Sequence, residues 1–113
     1  ATVEDGDTLA VGELELRVID TEGHSDGHVG YWFEDEGRIH LFAGDSVFAG
    51  GKVVIQHIWD CSIPKYAATA DKLHRLRIDA LYPGHGPFLM HDAYRHVDKA
   101  YEAFRRLDVP PNL

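Results

Sequence analysis

Phe42-Ala43-Gly44-Asp45-Ser46 ends an apolar run in a glycine and then a carboxylate. Two other stretches share this build. Glu22-Gly23-His24-Ser25-Asp26-Gly27-His28 follows the alternating segment Glu13 to Asp20, and Tyr82-Pro83-Gly84-His85-Gly86 follows Ile78 to Leu81. Each stretch sets a metal-binding side chain on a glycine-rich turn just past an apolar segment. Glycine tolerates the tight backbone such turns need. A histidine, an aspartate and a second histidine in these settings point to a metal centre built on loops at one edge of a sheet.

Working outward, residues 13–20 alternate. Leu14, Leu16 and Val18 fall on one face and Glu15 and Arg17 on the other, which predicts a half-buried strand. Residues 28–33 are rich in aromatic and β-branched types and predict a second strand. The turn Glu34-Asp35-Glu36-Gly37 leads into a third at 38–43. Ser62 reads as an N-cap and Pro64 suits a first helical turn. Ile63, Ala67, Ala70, Leu73 and Leu76 follow at helical spacing and predict a helix over 63–77. A short fourth strand, 78–82, ends at Pro83-Gly84. Val97, Ala100, Tyr101, Phe104 and Leu107 mark a second helix over 92–107, with His91-Asp92 as its cap.

This order predicts a topology. If the first three strands form a meander, the first and third run in the same direction. The helix after the third then serves as a crossover to a parallel fourth strand. His24, Asp45 and His85 would all leave strands at the same edge, and His28 opens the second strand from that side.

Composition narrows the function. The chain has 113 residues, enough for one domain or part of one, and its 44% hydrophobic and 27% charged residues are those of a soluble globular protein. Its net charge of −8 argues against binding nucleic acid or anionic membrane through a general field. Cys61 is the single cysteine, so an internal disulfide and a cysteine zinc knuckle are both excluded. A reducing, cytoplasmic setting is expected. No apolar run is long enough to span a bilayer, and no signal peptide is evident.

Imidazole and carboxylate suit zinc, iron and manganese alike. A carboxylate has two oxygens and can bridge two ions, which makes Asp45 the natural bridge. Taken singly, each residue has a plainer reading. A histidine between glycines is usually structural, and Asp45 could be a turn residue accepting backbone N–H groups. The coincidence of all three at matching strand exits favours ligation.

The ordered set GHxxGH, then GDS behind an apolar run, then PGHG, resembles the metallo-β-lactamase superfamily, with most likeness to its glyoxalase II-like and small-molecule hydrolase branches. The resemblance covers roughly Asp5 to Pro87. It implies that His24 completes a first metal site, that Asp45 is the bridging and catalytic aspartate, and that His85 belongs to the second metal site. His28 matches a histidine that supports the ligands rather than binding metal. The implied cofactor is zinc, two ions per complete site, with iron or manganese as alternatives. The implied reaction is hydrolysis of an ester, thioester, lactone or phosphodiester of a small molecule by a metal-bound hydroxide.

The family's HxHxDH motif is absent from the chain. The expected fold is therefore α/β of the α+β kind: the carboxyl-terminal half, over 1–113, of an αββα sandwich, a mixed sheet with helices on one face. A half-sandwich leaves its inner sheet face bare, so the chain is expected to dimerise or to pair with the missing amino-terminal half. Activity is then expected of the complete protein rather than of this piece. Two further readings remain: an iron-dependent redox member of the same fold, and a non-catalytic half-domain used for assembly.

The segment from Ser46 to Cys61 is the expected substrate-side loop, with Lys52, His57 and Trp59 as candidates for recognition. Trp59 is more simply a core anchor beside Val53, Val54, Ile55 and Ile58. His40, His74 and His96 are most simply surface residues.

Overall fold

A computed structural model of the chain describes residues 4–23, 27–53 and 62–112. Alternation at Leu14 to Val18 produces the strand it predicts, Leu14–Asp20, but as the second strand (β2) rather than the first. A short strand, β1 (Thr8–Val11), precedes it and forms the outer edge. Strands β3 (Val29–Asp35) and β4 (Arg38–Gly44) continue the antiparallel meander through the turn at Glu36 and Gly37. Helix α1 (Ile63–Leu76) then carries the chain to β5 (Ala80–Pro83), which pairs parallel to β4. Helix α2 (Tyr94–Arg105) completes the fold. The five strands lie in sequence order in one mixed sheet.

Ser62 caps α1, its hydroxyl accepting the Lys65 N–H, and Arg77 closes the helix in a left-handed conformation. Helix α2 starts differently from expectation. His91 and Asp92 provide no side-chain cap: Ala93 is the N-cap residue, and its N–H is taken instead by the Asp79 carbonyl.

Both helices cover one face of the sheet. Leu41 and Leu81, paired in register, meet Tyr66, Ala70 and Leu73 of α1 and Val97, Ala100 and Phe104 of α2. Of the expected stripe of α1, Ala70 and Leu73 are buried and Ala67 and Leu76 pack against the core; Tyr66 and Thr69 join them, while Ile63 is 45% exposed. Leu107 lies beyond the end of α2 and is 96% exposed.

The other sheet face bears Tyr31, Phe33, His40, Phe42 and Tyr82, placed side by side by the β3–β4 and β4–β5 registers. Phe33 stacks on His40 at 4.6 Å, and Phe42 on Tyr82 at 5.1 Å. His40 is therefore not an ordinary surface residue; its Nδ1 is hydrogen-bonded to the Tyr82 hydroxyl at 2.9 Å. Leu9, Val11, Leu14 and Phe42 are all exposed on this side. No helix among the described residues is long and apolar enough to cross a membrane.

Candidate metal centre

Parallel pairing of β4 and β5 brings their carboxyl ends together, with Gly44 opposite Pro83. The Gly84 N–H donates to the Gly44 carbonyl at 2.7 Å and ties the two exits to each other. Past Gly44 the chain turns on Ser46, whose N–H and hydroxyl both reach the Ala43 carbonyl. Beyond Gly86 it folds back, and Leu89 exchanges two backbone hydrogen bonds with Leu81. Asp45 and His85 thus sit at the tips of two braced turns. His85 Nδ1 lies 3.0 Å from Asp45 Oδ1.

His28 braces the Asp45 backbone. Its Nε2 accepts the Asp45 backbone N–H at 3.3 Å, so its proton resides on Nδ1, which is 2.7 Å from the hydroxyl of fully buried Thr21. Thr21 carries no motif signal and sequence reasoning misses it; its place one position past the β2 end is the only hint in the sequence. The contact needs Gly44, which is at φ 57° and whose Cβ, if present, would stand 2.9 Å from His28 Nε2. Tyr66 of α1 adds a hydrogen bond from its hydroxyl to the Asp45 carbonyl, 3.0 Å.

His24, His57 and Trp59 lie outside the described residues. Among those described, no three histidine, cysteine, aspartate or glutamate side chains gather as a metal cluster. The pair that does gather fits a metal ion by its chemistry. The Asp45 carboxylate offers oxygen donors, and with the His85 Nδ1 proton directed at it, the His85 Nε2 lone pair is left to face a cation. Both side chains reach solvent, His85 being 68% exposed.

Lys52 does not join the pair. It is exposed and its side chain makes no hydrogen bond or ion pair among the described residues, while the loop around it is fastened to the core. Val53 is buried and bridges to Asn112, and the Gly50 N–H of the 3-10 turn Ala49–Gly51 donates to His96 Nδ1 at 2.8 Å. His96 is thereby a latch. Burial, and then the charge of Lys99, lower its pKa from the usual value. His74 is also engaged, stacked on Tyr101 at 3.9 Å and bonded to Asp98.

Residues 1–85 match the family model of the metallo-beta-lactamase superfamily. The chain belongs to that superfamily. Its curated relatives include a hydroxyacylglutathione hydrolase of Rhodospirillum rubrum, 48% identical over 50 residues, which are 44% of this chain and 19% of that protein. A beta-lactamase-like protein 2 homolog of Caenorhabditis elegans is 33% identical over 77% of this chain and 27% of its own length. Among solved structures, a metallo-beta-lactamase family protein of Thermus thermophilus superposes with a TM-score of 0.71 at 27% identity, over 92% of this chain and 35% of that one. A metallo-beta-lactamase of Staphylococcus aureus gives 0.64 at 26% identity, over 74% and 26%. This superfamily chain thus spans between about a fifth and about a quarter of the length of those curated relatives.

Proposed function

We propose that this chain carries one side of the active site of a metal-dependent hydrolase acting on a small ester or thioester. The observation that carries this reading is the Asp45–His85 pair, 3.0 Å apart at the exits of neighbouring parallel strands. The hydroxyacylglutathione hydrolases among the relatives favour a thioester. Asp45, His85 and His24 would hold the zinc. Zinc held there supplies Lewis acidity and lowers the pKa of a bound water to about 7. The chain's own part is placement. The Asp45 N–H sets the His28 tautomer and Thr21 accepts its Nδ1 proton, His28 and Tyr66 hold the Asp45 backbone at its N–H and carbonyl, and the turn at Gly84 sets His85 against the carboxylate.

The remaining ligands and the second wall of the site would come from an amino-terminal half-sheet packed on the bare aromatic face. The relatives' greater length and the apolar character of that face support this arrangement. Asp45→Ala in the complete protein is the test. Metal content and hydrolysis of a thioester such as a hydroxyacylglutathione should be lost together. A variant with wild-type metal content would overturn the assignment. Elemental analysis of the wild type separates zinc from iron or manganese.

A further inference from the structure

We propose that Tyr66 is a positioning residue that locks the two ligand-bearing turns, the one leading into His24 and the one carrying Asp45, to a single rigid helix. The inference rests on the metal-site reading above and concerns how the site keeps its shape.

Tyr66 lies in the first turn of α1, almost fully buried, with its ring stacked on Phe104 at 6.0 Å. Its hydroxyl donates to the Asp45 carbonyl at 3.0 Å. At its other end the side chain supports Gly23, the residue before His24. A Cβ on Gly23 would come within 2.5 Å of Tyr66 Cγ and 2.6 Å of Tyr66 Cα. Hydrogen bonds to its backbone carbonyls also hold that turn to α1. The Ser62 N–H donates to the Gly23 carbonyl at 2.7 Å, and the Thr69 hydroxyl to the Glu22 carbonyl at 2.7 Å. The helix therefore grips the β2 exit at several points, Lys65 and Lys72 included, and reaches the β4 exit through the Tyr66 hydroxyl.

The consequence is geometric. Strands β2 and β4 are not neighbours in the sheet; β3 lies between them. Sheet pairing fixes their exits only through an intermediate strand, whereas Tyr66 spans them directly. Removing its hydroxyl cuts this tie to the Asp45 carbonyl without disturbing the ring that supports Gly23. Ligand geometry would loosen while the fold stays intact. A metal centre is sensitive to shifts of this kind because its ligands must converge within tenths of an ångström.

The test is Tyr66→Phe in the complete protein, beside Ala103→Gly, a core change in α2 away from the site. Zinc affinity by competition with a chelator should fall about fivefold to tenfold in Tyr66→Phe, the size expected for one hydrogen bond. It should stay within about twofold of wild type in Ala103→Gly, even with an equal loss of thermal stability. The visible spectrum of the cobalt-loaded protein should shift only in Tyr66→Phe. In metal-free protein, the Asp45 amide should exchange faster by a similar factor. Unchanged zinc affinity and exchange in Tyr66→Phe, or an equal loss in both variants, would overturn the proposal. A wild type that takes up no zinc would instead overturn the metal-site reading, while the exchange measurement would still judge the clamp.

Discussion

Gly84 lies so close to Asp45 that a Cβ at position 84 would stand 2.7 Å from the carboxylate Oδ1. The carboxylate occupies the space a side chain would take. His85 then meets the same oxygen from the next residue. Absence of a side chain at one position thus leaves room for the carboxylate oxygen of another.

Gly84→Ala should therefore act on the site before it acts on the fold. The group displaced is the end of a side chain at a partly exposed turn, so stability should change by no more than about 1 kcal/mol. Metal affinity should fall at least tenfold, because the carboxylate must swing from its place. Paired thermal melts and metal titrations would check this. Equal losses in both would mean the glycine serves only the backbone.

The aromatic sheet face, exposed in part among the described residues, makes a second expectation. Phe42 is 44% exposed and sits between Phe33 and Tyr82. Covering one such phenyl ring is worth about 1.5–3 kcal/mol. The isolated chain should associate through this face, and Phe42→Glu should weaken that association about tenfold or more while barely lowering the melting temperature. Sedimentation velocity of the two proteins would show it. Identical monomers in both cases would exclude the face as an interface.

His96 sets a pH dependence. Its Nδ1 must stay unprotonated to accept the Gly50 N–H, and burial followed by the Lys99 charge lowers its pKa in the folded chain. The unfolded chain then takes up the proton first as pH falls. Stability is fully present above about pH 6.5, and is lost as pH drops from there through the lowered folded value. Thermal melts between pH 7.5 and about 5 should decline more steeply for wild type than for His96→Gln, which has no imidazole to titrate. Parallel declines would assign the acid sensitivity elsewhere.

Much of this was legible because period and chemistry coincide. Alternation at Leu14, Leu16 and Val18 gave a strand its faces, and the helical span between Asp45 and His85 implied a crossover to a parallel neighbour. Strand β1 was not legible: Thr8–Val11 is four residues long, exposed throughout, and held only by pairing to β2. Spacing along α1 picks out Ala67, Ala70, Leu73 and Leu76, which lie in or against the core, but also Ile63, which is exposed, and it misses the buried Tyr66 and Thr69. Their hydroxyls have partners in distant loops, which no local pattern reveals. His28 stands out in sequence by its motif, but its hydrogen-bond partner Thr21 does not, since a threonine at a strand end carries no signal of its own. His40 and His96 look like any polar residue in sequence; one is drawn into an aromatic stack and the other into a loop latch by tertiary contacts alone.

The parallel pairing of β4 and β5 also bears on when the site can come into being. Asp45 and His85 are 40 residues apart in the chain. Bringing such distant points together carries a length-dependent entropic cost of about 3 kcal/mol, met only once α1 has formed and laid β5 against β4. Parallel pairing of this kind is intrinsically slow. A chain in which β4 and β5 have not yet paired holds the two proposed ligands apart. Metal capture by this pair would mark the closing of the crossover, so the rate at which a refolding chain gains metal would time the last long-range step of its folding.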